Sequence, residues 1–254
     1  MEFKLYNGLS MTNFFKPTVQ PKTLLLKVFL VLFFYKLYKF IIAQALGYHN
    51  YYLLEYFHSI YRLIAILLAF YWINQLYPSP KKQFIISNRP LVLLNLGIFF
   101  PLFFIIRYLN YELSFHFNQF FQELGFCVLV GLFEEFFYRG LILTLFFNYF
   151  TKSKAIIFSS LIFMIWHLDV TQNHLELLII FLASIYFSLN FTSGISLLVL
   201  SFFHFLWDLI ISGFGWEVFK HTTTNFYYEY LRIALLITFS LFIYVYNKRK
   251  KAWK

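Results

Sequence analysis

Residues 131 to 140 read Gly131-Leu132-Phe133-Glu134-Glu135-Phe136-Phe137-Tyr138-Arg139-Gly140, three charges set inside an apolar and aromatic run. An ionised group at mid-depth of a bilayer costs roughly 3 kcal/mol or more on insertion scales, so charges in such a run face a protein interior and serve chemistry or transport. The surroundings decide whether this run lies in a bilayer. Of the 254 residues, 61% are hydrophobic and 25% aromatic, while only 13% are charged, against about 25% charged in a soluble domain. The chain reads as an all-α integral membrane protein.

Working outward, stretches of about 20 largely apolar residues, the length of a spanning helix, divide the sequence into eight candidate spans. Span 1 covers about 23–46, span 2 about 51–77, span 3 about 91–109, and span 4 the long segment of about 119–150 that holds the acidic pair. Spans 5 to 8 follow at about 155–168, 174–189, 195–211 and 230–246. Span 2 stops at Pro78-Ser79-Pro80-Lys81-Lys82, a turn signal, and Pro101 predicts a kink in span 3. The length of span 4 predicts a tilted or interfacial turn. Spans 5 and 6 are short, which suits helices shielded inside a bundle. Ala43-Gln44-Ala45 has the small residues of a signal-peptidase site, but the apolar stretch before it is long and carries Lys36 and Lys39, so an uncleaved anchor is expected.

Basic residues concentrate on the cytoplasmic side of membrane proteins. With the N-terminus inside, Lys4, Lys16, Lys22, Lys81, Lys82, Arg89, Lys152, Lys154, Lys248, Arg249, Lys250, Lys251 and Lys254 are all cytoplasmic, thirteen residues, and only Lys220 is outside. Eight spans with both ends cytoplasmic are therefore expected, in a multi-pass cell membrane of bacterial type. The division is a basic lead at 1–22, one membrane domain at 23–247 and a basic tail at 248–254. The net charge of +10 comes from these connections and not from one amphipathic face, which excludes a nucleic-acid partner. Cys127 is the one cysteine, so a disulfide framework is excluded, and no Cys/His spacing resembles a zinc finger.

Glu135 and Arg139 are an i, i+4 pair on one helical face and can neutralise each other. Glu134, about 100° round the helix, is free to point into the bundle and is the better general base. Two carboxylates so close in low dielectric suit proton transfer near neutral pH. Span 5 carries Phe163-Met164-Ile165-Trp166-His167, with His167 on the face of Phe163. Span 7 carries His204-Phe205-Leu206-Trp207-Asp208, another i, i+4 pair, in which Asp208 could fix the tautomer of His204. Taken singly, each has a bland reading: a neutral packing cluster, a hydrogen-bonded interior histidine, an interhelical polar clamp. At about 1.5 Å rise per residue, however, Glu134, His167 and His204 fall at comparable depth near mid-membrane, as an enclosed active site requires.

At these residues the sequence resembles the CPBP family of intramembrane proteases, the group that contains CAAX prenyl endopeptidases, lysostaphin-resistance-like proteins and bacteriocin-processing or immunity proteins. Glu134-Glu135-x-x-x-Arg139 matches the family's EExxxR, Phe163-x-x-x-His167 its FxxxH, and His204-x-x-x-Asp208 its HxxxN or HxxxD, in order and on separate spans. The small step Ser193-Gly194-Ile195 also fits. The resemblance covers about 120–211 and implies an intramembrane endopeptidase acting on a membrane-associated peptide or protein within the lipid bilayer. It implies that Glu134 and His167 activate a water, that His204 and the residue at 208 stabilise the oxyanion, and that Glu135 and Arg139 position the helix. An ionised Asp208 would repel an oxyanion, so either it is protonated or it serves His204 from behind. No cofactor is required by this scheme; zinc held by Glu134, His167 and His204 is the second-ranked mechanism, without the helical HExxH of zinc proteases. No GxSxG elbow is present. The competing class is a non-enzymatic membrane protein, either an inactive homologue acting as an immunity factor or a proton-coupled carrier, which should show repeated or broken helices.

Overall fold

The computed structural model describes residues 20–46, 51–76, 88–113, 117–169, 171, 173–213, 216–219 and 225–252. The basic lead up to residue 19, the Pro78-to-Lys82 turn and Lys220 lie outside the described residues. Among the described residues eight long helical segments follow one another, α1 (Pro21–Leu46), α2 (Tyr51–Leu76), α3, α4, α5 (Lys152–Trp166), α6 (His174–Thr192), α7 and α8 (Asn225–Ala252). Three of them contain a stretch of π-helix. In α3, Arg89–Leu94 passes through a π turn at Asn95–Phe99 and resumes as Phe100–Asn110; in α4, Phe117–Glu134 runs into π-helix at Glu135–Leu143 and ends with Thr144–Phe146; in α7, Leu197–Asp208 ends in π-helix at Leu209–Gly213.

The irregularity expected at Pro101 is thus placed just before the proline, as a wide turn. In α4 the irregularity takes the form of a nine-residue π segment beginning at the second glutamate, and π turns inside α-helices are frequent at functional sites. Helix starts follow local chemistry: Pro21 and Pro90 sit in first turns, where a missing N–H is harmless, and the Asn173 side chain accepts from the Leu175 amide at 3.0 Å. Gly194, with φ of 93°, makes the left-handed step between α6 and α7 that only glycine takes without strain.

Among the described residues, four helices are long and apolar enough to cross a membrane, Leu53–Leu76, Arg89–Leu109, His174–Thr192 and Tyr227–Arg249, and Leu197–Ile211 is a shorter apolar one. The sequence predicts eight spans. The helices that miss this measure are the ones carrying interior charge, four lysines in α1 and Glu123, Glu134, Glu135 and Arg139 in α4, and the short α5. Large apolar side chains such as Leu26, Phe33, Leu67 and Leu93 lie on the outside, each more than 60% exposed, a surface suited to lipid. Two strands that the sequence reading did not anticipate, β1 (Tyr111–Leu113) and β2 (Trp216–Phe219), pair antiparallel and link the end of α3 to the connection between α7 and α8.

Two apolar cores form. One joins α1, α2, α4 and α5 around Phe133, Phe137 and Leu141; the other joins α3, α6, α7 and α8 around Phe99, Tyr186 and Phe203. The seam between them is where α4 meets α7, and Gly131 sets its width. A Cβ at Gly131 would lie 2.7 Å from the Ser201 carbonyl oxygen and 3.0 Å from the Phe205 amide nitrogen. Both are backbone atoms, so one helix has to move. Gly131→Ala is expected to destabilise by about 1–3 kcal/mol, the usual range for overpacking, which thermal melts of the solubilised protein read.

Candidate active site

Glu134 stands at the last α-helical position before the π segment, on the seam, with His204 of α7 opposite. Its carboxylate lies 3.4 Å from His204 Nε2 and 3.6 Å from His167 Nε2, through different oxygens. Glu134 Oε2 is buried and has no hydrogen-bond partner. The three residues that the sequence places at one depth are therefore gathered around one carboxylate.

The far nitrogens of both rings are anchored. His167 is not inside α5: it is the residue that ends it, at φ −93° and ψ 4°, the sparsely occupied bridge region where active-site residues recur. Its Nδ1 donates to the Phe163 carbonyl at 2.8 Å. Because that partner only accepts, the Nδ1 proton is fixed, and in the neutral ring Nε2 is left as an acceptor. It faces another acceptor, Glu134, at a separation too long for a direct hydrogen bond. Two acceptors in this relation are satisfied by a molecule that donates two protons, and water is the smallest.

His204 Nδ1 is 2.7 Å from Glu135 Oε1, and Glu135 also receives Arg139 Nη1 at 2.9 Å. The sequence reading confines Glu135 to its pair with Arg139 and gives the orienting of His204 to Asp208. In the structure Glu135 does both, and Asp208 Oδ1 is instead 3.8 Å from Nε2, on the Glu134 side of the ring. The reason is rotational. An i, i+4 neighbour lies beside the ring along the helix, whereas the rear of the imidazole points across the seam to α4.

Arg139 is 1% exposed and Glu135 fully buried. Arg139 Nη2 also donates to the Ser184 hydroxyl at 3.1 Å, and its guanidinium covers the Phe163 ring at 4.7 Å and the Phe187 ring at 5.5 Å. Phe187 stacks on His204 with centroids 5.2 Å apart. Phe163 thus contributes twice, through its ring to Arg139 and through its carbonyl to His167. The Thr144 hydroxyl donates to the Arg139 carbonyl at 3.1 Å, satisfying a group inside the π segment.

Glu134, Phe163, His167, Phe187, His204 and Asp208 line a cavity of about 470 Å³. Its wall includes charges that the sequence reading passed over. Lys36 Nζ of α1 donates to the Trp166 carbonyl at 2.6 Å, covers the Trp166 ring and pairs with Asp169, so it ties down the turn that carries His167. Burial raises the Asp169 carboxyl, but the hydrogen bond from Lys36 and the charges of Lys39 and Lys36 outweigh it and hold Asp169 below the usual carboxylate range. Arg62 pairs with Glu55 at 2.7 Å, and Arg232 with Glu176 at 2.8 Å and Glu229 at 3.1 Å. For Lys36, Arg62 and Arg232 the signal was available: each is a charge within an apolar run, the property that singled out Glu134.

Glu134, His167 and His204 are also the donor set a zinc ion would draw on, and ligating histidines have their second nitrogen anchored in this way. As placed, the rings approach opposite oxygens of Glu134 and not a common point, and no group of three His, Cys, Asp or Glu among the described residues could hold a metal ion. This geometry does not fit a metal.

No curated protein matches the chain at a significant level, and no solved structure does. Residues 116–210, however, match the model of one protein family, described as Type II CAAX prenyl endopeptidase Rce1-like. The match contains Glu134, Glu135, Arg139, Phe163, His167, His204 and Asp208, the residues that the fold brings to the seam. Over this segment the chain is similar to the Rce1-like CAAX prenyl endopeptidases, a family of the CPBP group.

Proposed function

We propose that the protein is an intramembrane endopeptidase that hydrolyses a peptide bond of a membrane-associated peptide or protein with a water activated by Glu134 and His167. The observation that supports this most is the opposition of two acceptors, Glu134 and a His167 whose tautomer is fixed by the Phe163 carbonyl. A water held between them gives one proton to Glu134 as its oxygen attacks the carbonyl carbon. The former carbonyl oxygen becomes the oxyanion of a tetrahedral intermediate. His204, in its doubly protonated form, donates Nδ1–H to Glu135 and offers Nε2–H to that oxyanion. The C–N bond then breaks, and the proton taken by Glu134 passes to the leaving amine.

Since Glu135 occupies the rear of His204, Asp208 is left at the front, beside Nε2. A group there has to donate, which a protonated carboxyl does and an amide does equally well. Asp208→Asn is expected to keep cleavage within about tenfold of wild type, while Asp208→Ala loses roughly 10²-fold or more, the scale of one missing oxyanion donor. A cleavage assay on both variants decides it, and equal loss in the two would remove Asp208 from the oxyanion site.

The test of the reading as a whole is cleavage of a membrane-associated peptide by purified protein, alongside His167→Ala and His204→Ala, each with and without a chelator. Loss in both variants and indifference of the wild type to chelator is the expected result. Undiminished activity in both variants would sink the assignment. Activity lost to chelator and restored by zinc would favour the metal mechanism.

A further inference from the structure

Away from the seam, the charged side chains on the cavity wall are paired among the described residues, with one exception. Lys36 and Lys39 share Asp169, Arg62 holds Glu55, and Arg232 holds Glu176. The exception is Glu123 of α4. It is only 7% exposed and lines the same cavity as Glu134, yet among the described residues it has no hydrogen bond and no ion pair. The charge that acts on it is a second carboxylate, Glu55 of α2. Glu55 is itself taken, by Arg62 at 2.7 Å and His58 at 3.2 Å, so it has nothing to offer Glu123.

Helical spacing explains how Glu123 comes to face the cavity. Glu123, Cys127, Val130 and Glu134 stand at i, i+4, i+7 and i+11, one stripe of α4, and all four line the cavity wall. At about 1.5 Å rise per residue, Glu123 is roughly 16 Å along this stripe from Glu134. Between them the stripe supplies a thiol and an isopropyl group, which cannot relay a proton over that distance. A metal ion has too few ligands there, since no group of three His, Cys, Asp or Glu among the described residues could hold one. A buried carboxylate without a partner is costly, and an ionisable group inside a membrane protein marks a ligand path when it is not part of a relay. What satisfies Glu123 is a cation that arrives with the ligand.

We propose that Glu123 is a specificity-determining residue that receives a lysine or arginine side chain of the peptide held in the cavity. An extended chain covers about 3.3 Å per residue, so a separation of roughly 16 Å puts that basic residue roughly three to five positions from the scissile bond, the lower count applying when the long side chain reaches back. That the peptide is cleaved rests on the protease reading above; the preference for a basic side chain rests on Glu123 and its surroundings.

A series of membrane-associated peptides in which a single lysine is walked along the chain, each matched by a glutamine peptide, tests this with the full-length protein in detergent or nanodiscs. The wild type is expected to prefer lysine by roughly tenfold or more in kcat/KM at a position three to five residues from the cleaved bond, on one side of it, with the effect in KM and not in kcat, as for an interaction made equally in ground and transition states. In Glu123→Gln the ratio of lysine to glutamine peptide should fall to about one. This variant removes an uncompensated charge and is expected to fold; Glu123→Ala gives the same reading with the side chain gone. No preference for lysine at any position, or a preference kept in both variants, overturns the proposal. Binding of the same peptide pairs to Glu134→Gln, with and without Glu123→Gln, is read by fluorescence anisotropy and needs no turnover. If no peptide is cleaved by the wild type, the protease reading fails, and a lysine preference in binding that vanishes with Glu123→Gln still upholds the role of Glu123, while equal binding of both peptides defeats it.

Discussion

Glu134→Gln is expected to lower peptide cleavage by roughly 10²- to 10⁴-fold, the contribution of a positioned general base, while leaving the fold as stable as before or more so. The split follows from what Glu134 touches. Arg139 pairs with its neighbour Glu135 and not with Glu134, and Glu134 Oε2 is buried with no hydrogen-bond partner. Removing this charge orphans no cation and relieves a buried carboxylate of its desolvation. A residue kept for packing would behave the other way, losing stability with activity in proportion. Thermal melts of the solubilised protein beside turnover measurements read both quantities. A variant that melts early and turns over normally would contradict the assignment of Glu134 as base.

Arg139→Met is expected to have the largest effect on stability, a loss of about 3–5 kcal/mol, the penalty for removing one partner of a buried ion pair. Glu135 would keep His204 as partner but lose its permanent cation, and the Ser184, Phe163 and Phe187 contacts of the guanidinium would go as well. Much of the loss is the uncompensated carboxylate, so the double variant Arg139→Met with Glu135→Gln should recover a large part of it. Cleavage should stay low in the double variant, because a neutral amide supports a charged His204 less well than a carboxylate does. A double variant no more stable than Arg139→Met would show that the aromatic and Ser184 contacts, and not the charge, carry the effect.

The sequence reading reaches furthest where the information is local. The i, i+4 spacing of Glu135 and Arg139 becomes an ion pair of 2.9 Å, and the eight apolar stretches fall on eight helical segments of the described residues, four of them long and apolar enough to cross a membrane. It stops where a contact depends on how one helix is rotated against another. Glu135 and His204 are 69 positions apart, and nothing local to either indicates that the rear of the imidazole faces α4 and not Asp208. The π segment is equally hidden, because it reflects how α4 is held by α2, α5 and α7 and not a propensity of Glu135–Leu143. Lys36 illustrates a third limit. As a charge in span 1 it served only to weigh an anchor against a signal peptide, while its partners, Trp166 and Asp169, are 130 and 133 positions away.

The pairing of Glu135 with Arg139 on one helix has a consequence for biogenesis. When α4 leaves the ribosome, His204 has not yet been made, and the polar side of the seam does not exist. A carboxylate and a guanidinium four residues apart can compensate each other within the single emerging segment, so, with α4 read as a span, its entry into the bilayer need not wait for a partner helix. Glu134 has no such companion on α4 and is the residue that obliges this helix to be covered by α5 and α7 once they arrive. Under the proposed mechanism insertion and catalysis fall to adjacent glutamates, and a defect in Arg139 should then be visible as poor membrane insertion before any substrate is offered.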